Sequence, residues 1–324
     1  MKENDLYKIA WEKIMAANNI LLVAHVNPDG DALSALSAFL EVLKKSGRKV
    51  SAYAEGQFSD SFFFLPYSSE IIANKEQIVL SDFDTLVILD CGSINRTNLA
   101  PEIFKQRSSL FIIEFDHHPK IDNHADLEFR YSDAASTTEI LYHFFKHNKV
   151  LFSRNLANAI LTGIITDTGN FLYPSTSDDT VSIAGEMLNY GASFPKIFQK
   201  TYQNKSLRTM KLWGAAMENL VINEKYNLAY SVLTHQDIAA NKDEDDEDIF
   251  GNLVGFLSNL GGVKMVMLIR EEKLGEIRCS LRSSDPSADV SRLALFLGGG
   301  GHKKAAAFSM SGSLVKINNV WQIV

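Results

Sequence analysis

The sequence predicts an α/β protein in two parts: an N-terminal domain with a mainly parallel sheet flanked by helices, and a smaller α+β C-terminal domain. Three observations carry that prediction. A chain of 324 residues is long for a single hydrophobic core. Short apolar runs alternate with longer helical patterns over the first 190 residues, the spacing of β-α-β units. TLVILD at 85–90 and LFIIEF at 110–115 are apolar almost without interruption, as strands buried on both faces of a parallel sheet must be.

Taken in order, the first 19 residues read as an amphipathic helix with charges throughout. ILLVA at 20–24, a helix from Ala32 to Lys45 and RKVSAYA at 48–54 make the first β-α-β unit. After the two apolar strands, Ser136-Thr137-Thr138-Glu139 has the spacing of a capping box and opens a helix to Asn148. Further helices are expected from Arg154 to Thr166 and from Asp178 to Tyr190, the latter closed by Gly191. The boundaries that follow are 1–191 for the first domain, 192–219 for a helical linker rich in Lys and Gln, and 220–324 for the second domain. Within the last, strands are expected near 227–234, 263–270 and 275–282, and helices near 247–260 and 287–297. The acidic run Asp243 to Asp248 reads as a solvated loop before a helix.

With 32 Lys plus Arg against 39 Asp plus Glu, the net charge of -7 argues against long nucleic acid held on a broad basic face; a short nucleotide needs only a local basic patch. Cys91 and Cys279 fall in different domains and give no disulfide framework. No segment has the apolar run of a signal peptide or a membrane span, so the expected place is the cytoplasm, with no membrane partner.

The acidic and imidazole residues cluster where open α/β sheets bind ligands, at the C-terminal ends of strands. His25-Val26-Asn27-Pro28-Asp29-Gly30-Asp31 follows the first strand, Asp90-Cys91-Gly92 another, Asp116-His117-His118-Pro119 a third, and Asp167-Thr168-Gly169-Asn170 the end of a helix. Each alone has a plain explanation, since Asn-Pro-Asp-Gly makes turns and an aspartate at a strand end caps the next helix. Together they gather about five carboxylates and three imidazoles in a small volume, an arrangement that calls for cations. Oxygen-rich donors with some imidazole suit Mn²⁺ or Mg²⁺ rather than structural zinc, and the cluster is large enough for two ions.

HVNPDGD, LDCG, DHHP and TDTGNF, in this order, resemble the four metal-site motifs of the DHH phosphoesterase superfamily. The resemblance implies that His25 and Asp29 hold one divalent ion, that Asp31, His117 and Asp167 hold the other, and that Asp90 bridges them. Mn²⁺ is the first choice, with Mg²⁺ or Co²⁺ as alternatives. It also implies that His118 contacts the scissile phosphate and that Asp116 supports the site or handles protons.

In the second domain, SLRS at 280–283 and GGGHKKAAA at 299–307 are similar to the SxRS and GGGHxxAxG signatures of the DHH-associated substrate-binding domain, departing at Ala307, where a glycine is usual. Arg282, Gly299, Gly300, Gly301 and His302 are then the expected substrate contacts, in a cleft between the domains, with the glycine run set between two helices. The resemblance covers nearly the whole chain and extends to the branch of bacterial nanoRNases and pAp phosphatases. It implies hydrolysis of short oligoribonucleotides, linear dinucleotides such as pApA, or pAp. A pyrophosphatase or exopolyphosphatase, a RecJ-like single-strand exonuclease and a non-catalytic nucleotide-binding protein are the alternatives. A homodimer stays open, since Phe62-Phe63-Phe64-Leu65 reads as core or as interface.

Overall fold

A computed structural model describes residues 3–241, 249–285, 287–301, 303–318 and 320–324. The acidic run 243–248 and His302 lie outside the described residues.

The chain forms two compact units, one made of residues up to Phe171 with Ser175–Asn204, the other of Leu172–Pro174 with Lys205–Val324. The first unit opens with helix α1 (Glu3–Ala16), then β1 (Ile20–Val23), α2 (Gly30–Lys45), β2 (Val50–Tyr53), β3 (Thr85–Leu89), a short α3 (Ala100–Lys105), β4 (Phe111–Asp116) and β5 (Leu127–Arg130). Helices α4 (Thr137–His147), α5 (Arg154–Asp167), α6 (Asp178–Asn189) and α7 (Phe194–Thr201) complete it. Its sheet has the order β2-β1-β3-β4-β5 with every pairing parallel. The order reverses between β1 and β3, so the loops leaving their C-terminal ends diverge and leave a crevice.

The expected elements of this domain are present. Strand β5 was not foreseen, because LEFR carries two charges, a pattern an edge strand tolerates and a central one does not. Ser136 caps α4 through its hydroxyl to the Glu139 N–H, while Glu139 reaches back to the Ala135 N–H instead of closing the box on Ser136. Of the apolar run after residue 61, Leu65 is buried, Phe62 and Phe64 pack against the core, and Phe63 is exposed.

The larger of the two cores flanking this sheet contains an aromatic cluster. Phe39, Phe115, Phe129, Phe144 and Phe145 are all fully buried, with Phe115 stacked on Phe129 at 4.8 Å and edge-on to Phe144 at 4.7 Å. Such a cluster joins α2 and α4 to the strands that carry the candidate ligands.

The second unit contains α8 (Leu207–Glu218), β6 (Val221–Asn223), β7 (Leu228–Leu233), α9 (His235–Asn241), α10 (Ile249–Leu257), β8 (Met265–Lys273), β9 (Glu276–Arg282), α11 (Val290–Phe296), β10 (Gly300–Gly301), β11 (Ala305–Ser311) and the hairpin β12 (Leu314–Ile317) and β13 (Val320–Ile323). Its sheet, β10-β11-β9-β8-β7-β6, is antiparallel except between β7 and β8. The stretch read as a linker holds α7, which belongs to the first unit, and α8, which belongs to the second.

One expectation is corrected. The glycine run does not lead into a helix: Gly300 and Gly301 pair with Ala307 and Ala306, and a strand follows. Alanine favours helix intrinsically, but Ala306 and Phe308 alternate inward against β9, and packing overrides propensity. Ala307 sits in that strand without a positive φ, so glycine is not required there.

Phe144→Ala is expected to destabilise the first unit by about 3–5 kcal/mol, read as a lower urea midpoint with unchanged slope.

Candidate metal centre

Adjacent parallel strands deliver the four sequence groups to one place. Val23 of β1 lies beside Ile88 of β3, and Leu89 beside Phe115 of β4, so the residues that follow these strands emerge side by side. The structure brings together three overlapping groups: His25 with Asp29 and Asp90, Asp31 with His117 and Asp167, and Asp90 with His117 and His118. Within each, the donor atoms lie within 4.8 Å of one another.

Local geometry explains how each is held. Asp29 is the N-cap of α2, its Oδ1 accepting the N–H groups of Asp31 and Ala32 at 3.1 Å each. The plain reading of this aspartate as a helix cap is therefore correct for one oxygen. The other, Oδ2, lies 3.7 Å from Nε2 of His25. Asp31, in the first turn of the same helix, is buried against the N-terminus of α4, where it accepts the Thr137 N–H at 2.6 Å, the Thr138 N–H at 3.2 Å and the Thr138 hydroxyl at 2.7 Å. Gly163 on α5 makes this approach feasible, because a Cβ there would fall 2.3 Å from Asp31 Oδ1. Asp90 takes a left-handed backbone, φ 56°, rare for a residue with a side chain and characteristic of functional sites. Its N–H donates to the Phe115 carbonyl and its Oδ1 accepts the Thr137 hydroxyl at 2.9 Å.

Electrostatics make the same demand as the sequence. Burial pushes the Asp90 carboxyl well above its usual range, and the charges of Asp31, Asp29, Asp116 and Asp167 add to it. Burial likewise raises Asp31. Burial works against a charged His117, yet Asp167 and Asp31 hold its imidazole above the ordinary value. The Cys91 thiol is also driven up by burial, then by Asp116, which marks it as inert.

The donors fit a cation on one observation in particular. His25 donates from Nδ1 to the Val26 carbonyl at 2.8 Å, which fixes the tautomer and points the Nε2 lone pair inward. That Nε2 is buried and has no hydrogen-bond partner, standing 3.7 Å from Asp29 and 3.9 Å from Asp90, too far for hydrogen bonds and suited to ligands around a shared ion. His117 Nε2 stands 3.2 Å from Asp167 and 3.5 Å from Asp90.

Behind the candidate ligands lies a layer of which the sequence reading named only Asp116 as a support. Asp116 is fully buried and accepts the N–H of Gly92, the N–H of His118 and Nδ1 of His118 at 2.6, 2.8 and 2.8 Å. Burial would raise its carboxyl, but these bonds and Arg130 hold it at about 2. Arg130, at the end of β5, lies 2.9 Å from Asp116 and donates to Glu114, Glu128 and the His118 carbonyl at 2.7, 2.9 and 3.0 Å. Besides Asp116, a signal existed only for Thr137 and Thr138, read as a cap; nothing in LEFR marked Arg130.

In the second unit, Arg282 ends β9 and donates to the Leu281 carbonyl, while Ser280 accepts from Arg270 at 2.7 Å and Ser283 donates to the Lys264 carbonyl at 2.7 Å. Arg282 pairs with Ala305, and Gly301 with Ala306 one position on, so the arginine and glycine run share one end of the sheet. Gly299 packs so closely on β11 that a Cβ would meet the Ala307 carbonyl oxygen at 2.1 Å.

Fold and site define a phosphoesterase-type α/β domain followed by a mixed-sheet domain, and comparison with known proteins agrees. Residues 19–164 match the DHH family, N-terminal domain, and residues 225–322 match the DHHA1 domain. The chain thus carries a DHH N-terminal domain followed by a DHHA1 domain. The bifunctional oligoribonuclease and PAP phosphatase NrnA of Bacillus subtilis is 29% identical over 90% of this chain and 90% of its own length. The Thermus thermophilus protein of the same name is 27% identical over 93% and 90%. Among solved structures, an exopolyphosphatase-related protein from Bacteroides fragilis aligns with a TM-score of 0.84 at 25% identity, covering 97% of this chain and 94% of that one.

Replacing Arg130 with methionine leaves Asp116 and Glu114 without their shared cation. The expected loss is about 3–5 kcal/mol of stability by urea denaturation; a loss under about 1 kcal/mol would show that the two carboxylates do not depend on it.

Proposed function

We propose that the chain is a hydrolase of phosphoester bonds in short nucleotides, acting on oligoribonucleotides of a few residues, linear dinucleotides such as pApA, and pAp. The observation that carries the reading is the partnerless, buried Nε2 of His25 facing two carboxylates in a cluster with more buried negative charge than its own cations balance. The names of the curated relatives, oligoribonuclease and PAP phosphatase, support the substrate class.

In this reading His25 and Asp29 hold one ion, Asp31, His117 and Asp167 the other, and Asp90 is shared. When bound, a pair of divalent ions, Mn²⁺ first, makes water nucleophilic at neutral pH and withdraws charge from the phosphoryl group. The residues of the chain then orient and discriminate. Asp116 holds His118 by Nδ1, so the imidazole presents Nε2 to a phosphoryl oxygen and its tautomer is set by its partner. Thr137 donates to Asp90 and keeps that carboxylate oriented. Arg282 and Gly299, Gly300, Gly301 and His302 grip the nucleotide, with the guanidinium supplying a planar fork. The domain roles follow: 1–191 catalytic, 220–324 substrate-binding. Net negative charge disfavours long duplex nucleic acid, and no described helix is long and apolar enough to cross a membrane; the cytoplasm is the proposed setting.

The solved relative, described as exopolyphosphatase-related, keeps polyphosphate as the second reading, with pyrophosphate as its simplest probe. A manganese-supplemented panel of pAp, pApA, short RNAs and pyrophosphate, with products resolved over time, is expected to show turnover of the nucleotides first; preference for pyrophosphate would overturn the substrate class. Asp90→Ala is expected to lose on the order of 10³-fold or more in kcat while folding normally, and full manganese-dependent activity would contradict the two-ion assignment. Arg282→Ala is expected to raise KM for pApA about tenfold and spare bis(p-nitrophenyl) phosphate; equal effects on both would contradict a role in gripping the nucleotide.

A further inference from the structure

The ligand cluster is rich in carboxylates, and a substrate phosphate brings more negative charge, so a cation of the protein beside the reacting group is chemically valuable. Two arginines stand next to the Asp116–His118 pair. Arg130 is committed: three carboxylates and the His118 carbonyl occupy its fork, and its side chain is buried. Lys120, on the same turn, is engaged by Glu128.

Arg96 differs on every point. Its backbone is fixed at both ends of the site: its carbonyl accepts the Val26 N–H at 2.8 Å, next to His25, and its N–H donates to the Ser93 carbonyl at 3.0 Å, just past Asp90. Its side chain is exposed, and its one hydrogen bond among the described residues runs from Nη1 to the Cys91 carbonyl at 3.2 Å. It forms no ion pair among the described residues, although it stands beside the Asp90–Gly92 turn.

Gly92 shows what lies in front of it. This residue has φ 68°, and a Cβ there would lie 3.3 Å from Arg96 Nη1 and 3.5 Å from His118 Cγ. Guanidinium and imidazole therefore border the same small space, kept clear by the missing side chain. The imidazole turns Cγ toward that space and Nδ1 toward Asp116, so a phosphoryl group would sit at Nε2 across the ring, within the sweep of an exposed guanidinium whose charge-assisted N–H···O bonds span about 2.8 Å.

We propose that Arg96 is a phosphate-binding residue which, beside His118, holds non-bridging oxygens of the phosphoryl group under attack. This rests on the phosphoester reading above and adds to it a contact made to the reacting group itself rather than to the nucleotide. Arg96 and Arg282 therefore have separable signatures.

The test uses the full-length protein with Mn²⁺ and inorganic phosphate as probe, measured by isothermal titration calorimetry. Manganese stoichiometry and thermal midpoint serve as controls for folding. Arg96→Met is expected to weaken phosphate binding about tenfold or more with manganese binding unchanged, and Arg96→Lys, which keeps charge but not the fork, to fall between. In turnover, Arg96→Met is expected to lower kcat/KM for pApA and for bis(p-nitrophenyl) phosphate by a common factor of about 10². Phosphate affinity within twofold of the parent protein, or loss of pApA turnover with the chromogenic ester spared, would overturn the assignment. If the parent protein binds phosphate through Arg96 yet cleaves no phosphoester, Arg96 stands as a phosphate-binding residue while its place at a group under attack falls with the proposed function.

Discussion

The structure depends on one constraint: carboxylates of Asp29, Asp31, Asp90, Asp116 and Asp167 converge at the crevice where the parallel sheet reverses its strand order. Like charges at such spacing oppose folding unless something compensates them. The protein compensates part of the charge itself. Arg130 neutralises the layer behind the ligands, and the N-terminus of α4 turns two backbone N–H groups and a hydroxyl onto Asp31. What remains uncompensated faces His25 and His117, and that remainder is the demand for metal.

The same arrangement explains why the surrounding elements are packed so tightly. Helices α2 and α5 touch at two glycines: a Cβ on Gly30 would fall 2.6 Å from Thr166, and one on Gly163 would fall 2.3 Å from Asp31. Asp167 ends α5 and reaches His117 only because α5 runs that close. The aromatic cluster of Phe39, Phe115 and Phe144 fixes α2 and α4 against β4, which carries Asp116 to the sheet edge. Core packing thus sets the ligand positions, and the strained backbone of Asp90 is tolerated because bonds from both sides determine it.

Most of the first domain was legible because β1, β3 and β4 are buried on both faces and α2, α4, α5 and α6 carry side-chain caps, so periodicity and local chemistry agree. That these acidic and imidazole residues cluster was legible for a different reason: charged residues directly after apolar strands have few structural explanations in combination. Arg130 and Arg96 were not legible. Arg130 acts from an edge strand with no apolar signature, and Arg96 is defined by what Gly92 lacks, a relation that exists only in three dimensions. The glycine run misled in the opposite way, since alanines that favour helix in isolation become a strand when Ala306 and Phe308 find a sheet to pack on.

The central claim, that this cluster is a two-ion centre with Asp90 shared, is tested most directly by crystals grown with Mn²⁺ and measured at the manganese absorption edge. The account requires two anomalous peaks per chain, about 3.5–4 Å apart, one among His25, Asp29 and Asp90 and the other among Asp31, His117, Asp167 and Asp90. A single peak, or peaks that leave His25 Nε2 without a metal, would contradict it.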